Sequence, residues 1–278
     1  MFASPQTQYR SPRAVFWREE TIASGQTSLA ARLYAPAEIA DDAGLVLHLH
    51  GGHFNGGSLV EGEAVATMLA EAGAVVISLD YPLAPAHRFP DALEAAYGAL
   101  QTLGKGRARW TSKRAPLYVA GEEAGGNLAA ALAMMARDRR GPALAGQILF
   151  SPMLDACLGT YSLRAAHAGP VGCHWADGWA DYLGTPDKAA HPYATPLNAS
   201  RLAGLPPALL ITAQDDPMRD ECAGYAQRLQ EAGVTVRHHM QTGPTLWPGA
   251  YAAAPKEGSC LCLACNHVTE FYSLTAPP

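Results

Sequence analysis

Short apolar runs alternate with longer segments of helical period along most of this chain. Residues 44–50, 74–81, 117–120, 144–150 and 207–213 are each near-continuous in apolar side chains, the mark of strands buried on both faces. Between them lie helical stretches: about 60–72, closed by Gly73; 90–103, with Pro90 suited to a first helical position; 125–137; about 219–232, closed by Gly233; and about 262–274. Residues 13–22 and 28–34 alternate only in part and are joined by a turn at Ser24-Gly25-Gln26, as expected at a sheet edge. Residues 234–239 read as the last strand. Residues 155–200 show no clear period and mix aromatics, histidines, Gly and Pro, which reads as a lid or cap insertion. Buried strands alternating with helices imply an α/β protein: a mostly parallel, twisted sheet of about eight strands with helices on both faces. The whole of 1–278 is expected to be one domain, with 155–200 inserted in it, and ligands are expected at the carboxyl ends of the strands.

Composition narrows the function classes. Of 278 residues, 49% are hydrophobic and 16% charged, which fits a substantial core and not a disordered chain. The net charge is −5 and the basic residues are scattered, so nothing would track a phosphate backbone and nucleic acid is not an expected partner. No apolar run reaches membrane-spanning length, and the first residues lack the charged start and apolar stretch of a secretory signal, so the expected location is the cytoplasm. The six cysteines are then expected as thiols. Cys260, Cys262 and Cys265, with His267, are crowded into one short stretch without a second ligand pair, so a helix with small semi-buried side chains is favoured over a metal site. Neither a metal nor a cofactor is expected. The partners expected are a small-molecule ligand or substrate and, at most, a second copy of the chain.

The candidate chemistry centres on Gly121-Glu122-Glu123-Ala124-Gly125. A short strand runs into a glycine, then a tight turn, then an alanine-rich helix, which is the layout of a nucleophile elbow, Gly-x-Ser-x-Gly. Glu123 stands at the tip, where the serine belongs. Upstream, His50-Gly51-Gly52-His53-Phe54 places glycines where backbone N–H groups can face a ligand.

Four stretches together resemble the α/β-hydrolase fold, in its hormone-sensitive-lipase or acetyl-esterase branch. His50-Gly51-Gly52-His53-Phe54 is similar to the branch's H-G-G-G-F oxyanion loop. Residues 80–90, beginning Asp80-Tyr81-Pro82-Leu83-Ala84-Pro85, resemble D-Y-R-L-A-P-E-x-x-F-P. Gly121 to Asn127 resembles G-[DE]-S-A-G-G-N, and Asp216-Pro217-Met218-Arg219-Asp220-Glu221 resembles D-P-L-R-D-E. The resemblance spans roughly residues 40–275 and implies hydrolysis of small carboxylic esters. It implies Asp216 as the triad acid, and Gly51, Gly52 and the Ala124 N–H as oxyanion donors. It also places Glu123 at the nucleophile position, Leu246 where the family has its histidine, and His53 in place of the third oxyanion glycine.

Leu246 can neither take nor give a proton, and a triad acts as a unit, so ordinary serine esterase chemistry is not expected. A carboxylate nucleophile at Glu123 would need a histidine, with His53, His174 and His191 as the candidates; as a general base, a carboxylate stabilised by backbone N–H groups would be weak. The simpler expectation is that Glu123, near free N–H groups and a helix start, has a lowered pKa and folds back into the oxyanion pocket. Glu122 is expected to be structural, His50 to brace the oxyanion loop, and His48 to be a satisfied core histidine. Asp216, without a histidine, would bond backbone N–H groups or Arg219. The functions left open are an esterase-type hydrolase, a repurposed enzyme using Glu123, and a non-catalytic protein of this fold that binds a small ligand or a partner.

Overall fold

The computed structural model describes residues 13–166, 170–242 and 260–276. Eight strands form one sheet in the order β1-β2-β4-β3-β5-β6-β7-β8: β1 Val15–Ser24, β2 Thr27–Pro36, β3 Leu45–Leu49, β4 Val75–Leu79, β5 Leu117–Glu122, β6 Gly146–Phe150, β7 Ala208–Ala213 and β8 Val236–Gln241. β1 and β2 are antiparallel, β2 meets β4 antiparallel, and all other pairs are parallel. The partial alternation read in the first two strands therefore marks a true edge. Every residue of β3 to β7 is buried, because helices cover both faces.

Helices α1 Glu63–Glu71, α2 Asp91–Lys105, α3 Glu123–Asp138, α6 Arg219–Glu231 and α7 Cys260–Thr275 lie near their expected positions. Two apolar clusters result, one on each side of the sheet. Leu47, Leu49, Ile77, Val119, Leu128 and Leu132 belong to the first, and Val46, Val76, Tyr118, Ile148, Met68 and Val268 to the second. Adjacent residues of β3 and β4 thus serve opposite cores, as the two-residue period of a strand requires. Each such aliphatic side chain contributes about 1.5–3 kcal/mol by leaving water.

The segment expected to lack a period contains α4 Tyr161–Ala165 and α5 Pro170–Leu183. α5 seats on the oxyanion loop. Phe54 stacks on Tyr182 with ring centroids 4.1 Å apart and lies 4.7 Å from Trp179. Gly178 faces the His53 carbonyl so closely that any side chain there would collide with it. Among the described residues no helix is long and apolar enough to cross a membrane.

Candidate functional site

The register of the central strands builds the site. Leu49 pairs with Gly121 and Phe150 with Glu122, so β3, β5 and β6 end side by side and their loops meet above Glu123. The turn from β5 into α3 is made in one residue: Glu122 is extended, and Glu123 takes a left-handed φ of 51°. A left-handed glutamate is strained by about 1–2 kcal/mol, and such strain persists only where neighbours enforce it. Gly125 is one enforcer. The space a side chain would need there is filled by the Leu49 and His50 carbonyls, so α3 docks directly on the end of β3.

The oxyanion loop carries the same kind of strain. His53 and Phe54 have φ of 57° and 69°, so His53 holds a conformation suited to the glycine it replaces. Gly52 has φ of 114°. The two amides that the loop turns toward the elbow are both taken by consecutive carboxyl groups. Gly51 N–H donates to Glu122 Oε1 at 3.0 Å, and Gly52 N–H donates to Glu123 Oε2 at 3.3 Å.

Glu122 is buried and bonded on both oxygens. Its Oε2 lies 2.8 Å from His48 Nε2, and His48 Nδ1 lies 2.9 Å from Ser78 Oγ, so a buried chain runs from β4 through β3 to β5. With the carboxyl as acceptor, His48 donates through Nε2 and accepts the serine proton at Nδ1. His50 braces the loop: its Nδ1–H donates to the Gly51 carbonyl at 2.7 Å, its ring stacks on Tyr81 at 4.4 Å, and Tyr81 O–H donates to the His50 carbonyl. Burial lowers the His50 pKa, so the ring is neutral.

Glu123 corrects one expectation. Its pKa is not lowered but raised, to about 7. Desolvation is the main cause; the Gly52 N–H opposes it, and Glu122, Asp216 and Glu61 add to it. Its side chain keeps 22% exposure, yet one long hydrogen bond does not replace the water lost on the other sides. His53 Nε2 lies 3.8 Å from Glu123 Oε2, and the His174 ring lies 6.5 Å behind His53. Burial and His174 lower the His53 pKa. His191 does not join them: it packs against Phe89 and Tyr193 and accepts the Tyr193 N–H at 3.1 Å.

Asp216 is buried at the end of β7. It accepts the hydroxyls of Ser151 and Thr212 on Oδ2 and the Met218 N–H on Oδ1 at 2.8 Å. Desolvation raises its pKa against those bonds. Arg219 does not reach it, since its guanidinium donates to Asp220 and to the Gln214 carbonyl. Ala124 is buried in the first turn of α3. Leu246 lies outside the described residues. Cys265 turns its thiol to the Met68 carbonyl and His267 stacks on His239 at 3.6 Å, so they do not converge. Among the described residues no group of three His, Cys, Asp or Glu is placed to hold a metal.

Two further residues, Glu221 and Asn127, support the elbow from outside it. Glu221 accepts the Leu154 and Asp155 N–H groups at 2.6 and 3.0 Å, and Asn127 donates to the Met153 and Ala194 carbonyls. Met153 N–H in turn donates to the Glu123 carbonyl at 3.0 Å, so these residues fix the backbone of the elbow. Both stand in the quoted motifs, and the signal was a buried polar side chain beside a functional one. Asn127→Ala is expected to lower unfolding stability by about 2 kcal/mol, the cost of two buried carbonyls left unpaired, as measured by urea denaturation.

A family model described as the alpha/beta hydrolase fold matches residues 46–245. A carboxylesterase of Mycobacterium tuberculosis, NlhH, is 34% identical over 241 residues, covering 83% of this chain and 74% of its own. An arylesterase of Saccharolobus solfataricus is 31% identical over 221 residues, covering 78% and 72%. Among solved structures, the hyperthermophilic esterase of Pyrobaculum calidifontis matches with a TM-score of 0.81 and 34% identity, covering 94% of this chain and 87% of that one. A bacterial heroin esterase matches at 0.80 and 29% identity, covering 95% and 85%.

Proposed function

The chain belongs to the α/β-hydrolase family, among relatives that are carboxylesterases, and from that premise we propose that its cleft binds a short carboxylic ester without turning it over by the serine route. One observation carries this reading: the Gly52 N–H that would receive an ester carbonyl already holds Glu123. Two further points support it. The elbow offers no hydroxyl, and the motif resemblance aligns Leu246 with the family's histidine. Helix α5 is then part of the cover of the cleft, fixed to the loop that would touch the acyl group.

The test uses 2-pentanone, a ketone isostere of ethyl acetate, observed by ligand-detected NMR. Saturable binding is expected, and Glu123→Ala should tighten it about fivefold, the worth of one freed hydrogen bond. Equal affinity in the two proteins would refute a self-occupied pocket. With a chromogenic short-chain ester, no acyl-enzyme burst and no inactivation by a sulfonyl fluoride are expected; either one overturns the reading.

A further inference from the structure

We propose that Glu123 is the general base of a direct, water-mediated hydrolysis of short acyl esters whose leaving group departs as a stable anion, such as enol and phenol esters. This rests on the reading above, that the cleft accepts a short ester, and adds a reaction to it.

The geometry supplies the parts. The carboxylate stands at the tip of the elbow, where chemistry in this fold takes place, and a single 3.3 Å bond to Gly52 N–H ties it down. A substrate carbonyl that takes this N–H frees the carboxylate. His53 Nε2, now 3.8 Å away, is placed to receive it. Both side chains stay open on one side, with 26% exposure for His53 and 22% for Glu123, so water can reach them.

The steps balance without another reactant. Glu123 takes a proton from water as the water oxygen bonds to the acyl carbon. The carbonyl electron pair moves onto oxygen, held by Gly52 N–H. Collapse restores the carbonyl and breaks the bond to the leaving oxygen, which departs as the phenolate or enolate anion and only then takes the proton held on Glu123. Ester and water become acid and phenol. No group protonates the leaving oxygen before the bond breaks, so poor leaving groups such as alkoxides are excluded. His53 is a positioning residue that holds the displaced carboxylate.

The charged groups around this pair set its pH response. Loss of water holds the Glu123 proton on first, and Glu122 from β5, Asp216 after β7 and Glu61 before α1 add to it, while Gly52 N–H opposes them; Tyr81 after β4 is buried close by, and His174 from α5 faces His53. The rate should therefore rise with pH and level off above about 7.

The probes are phenyl acetate and ethyl acetate. The parent should hydrolyse phenyl acetate and not ethyl acetate, without a burst, and Glu123→Gln should cut kcat by roughly 100-fold or more while 2-pentanone still binds. His53→Asn should lower kcat and displace the pH midpoint; an unmoved midpoint overturns its positioning role. Turnover in ¹⁸O-water followed by mass spectrometry should leave Glu123 unlabelled, and label there would overturn the base assignment in favour of a carboxylate nucleophile. If 2-pentanone binds but Glu123→Gln matches the parent on phenyl acetate, the base fails and the binding reading stands. If 2-pentanone does not bind, the binding reading fails as well.

Discussion

The double variant Glu123→Ser with Leu246→His is expected to hydrolyse p-nitrophenyl acetate at least ~10³-fold faster than the parent, while Leu246→His alone stays within about tenfold of it and Glu123→Ser alone, having lost its carboxylate, falls below it. The asymmetry follows from how a nucleophile, a base and an acid share one proton path. A serine without a base has no means of losing its proton, and a histidine without a serine has nothing to activate. The rest of the machinery is in place. Asp216 is held by two hydroxyls and the Met218 N–H, the elbow is enforced by Gly125, and removing the carboxylate frees the Gly52 N–H. Steady-state kinetics on the four proteins decides the matter. A silent double variant would mean that the segment carrying position 246 does not bring a histidine to Asp216.

The second large effect is on stability. Glu123 has its folded pKa raised from the ordinary 4.5 to about 7, and Glu221 to about 8, mainly by desolvation. A carboxyl whose folded pKa is raised keeps its proton in the native state while the unfolded chain has released its own. Between the two values the unfolded state binds fewer protons, so stability falls as pH rises. The contribution is complete below about pH 4.5 and is lost by about pH 7 for Glu123 and pH 8 for Glu221. At ~1.36 kcal/mol for each pH unit, Glu123 loses about 3 kcal/mol across its window. Glu123→Gln keeps an oxygen for Gly52 N–H and removes the titration. It should therefore leave Tm unchanged near pH 4.5 and raise it by several degrees at pH 8, as followed by calorimetry. Equal shifts at both pH values would show that the folded-state pKa is not raised.

The pH result bears on how far the sequence could be read. The strands and the elbow were legible because buried strands have near-continuous apolar runs and because Gly121 and Gly125 punctuate the turn. The fold-back of Glu123 was legible too, since a carboxyl beside unpaired N–H groups has somewhere to go. The sign of its pKa was not. It depends first on how far packing strips water from the carboxyl, and then on Glu122, Asp216 and Glu61 converging from separate elements, which are facts of packing and not of local order. The α5 helix was missed for a different reason. Trp175, Trp179 and Tyr182 stand at helical spacing and are buried, but the glycines and histidines among them blurred the period. The partners of Asp216 were out of reach: Ser151 and Thr212 come from the ends of two different strands, and only the register of β6 against β7 brings them together.

The bond between Glu123 and Gly52 has a consequence for selectivity. A carboxylate tethered beside the amide it occupies is a competitor that cannot be diluted away; its local concentration is set by a side chain and not by the solution. Any acyl compound entering the cleft is measured against it, and the affinity observed is the intrinsic one reduced by the fraction of time Glu123 stands aside. A weak hydrogen-bond acceptor loses that contest and a strong one wins it. Protonation weakens the tethered group and relaxes the contest, so the cleft should admit a wider set of carbonyl compounds in mild acid than in mild base.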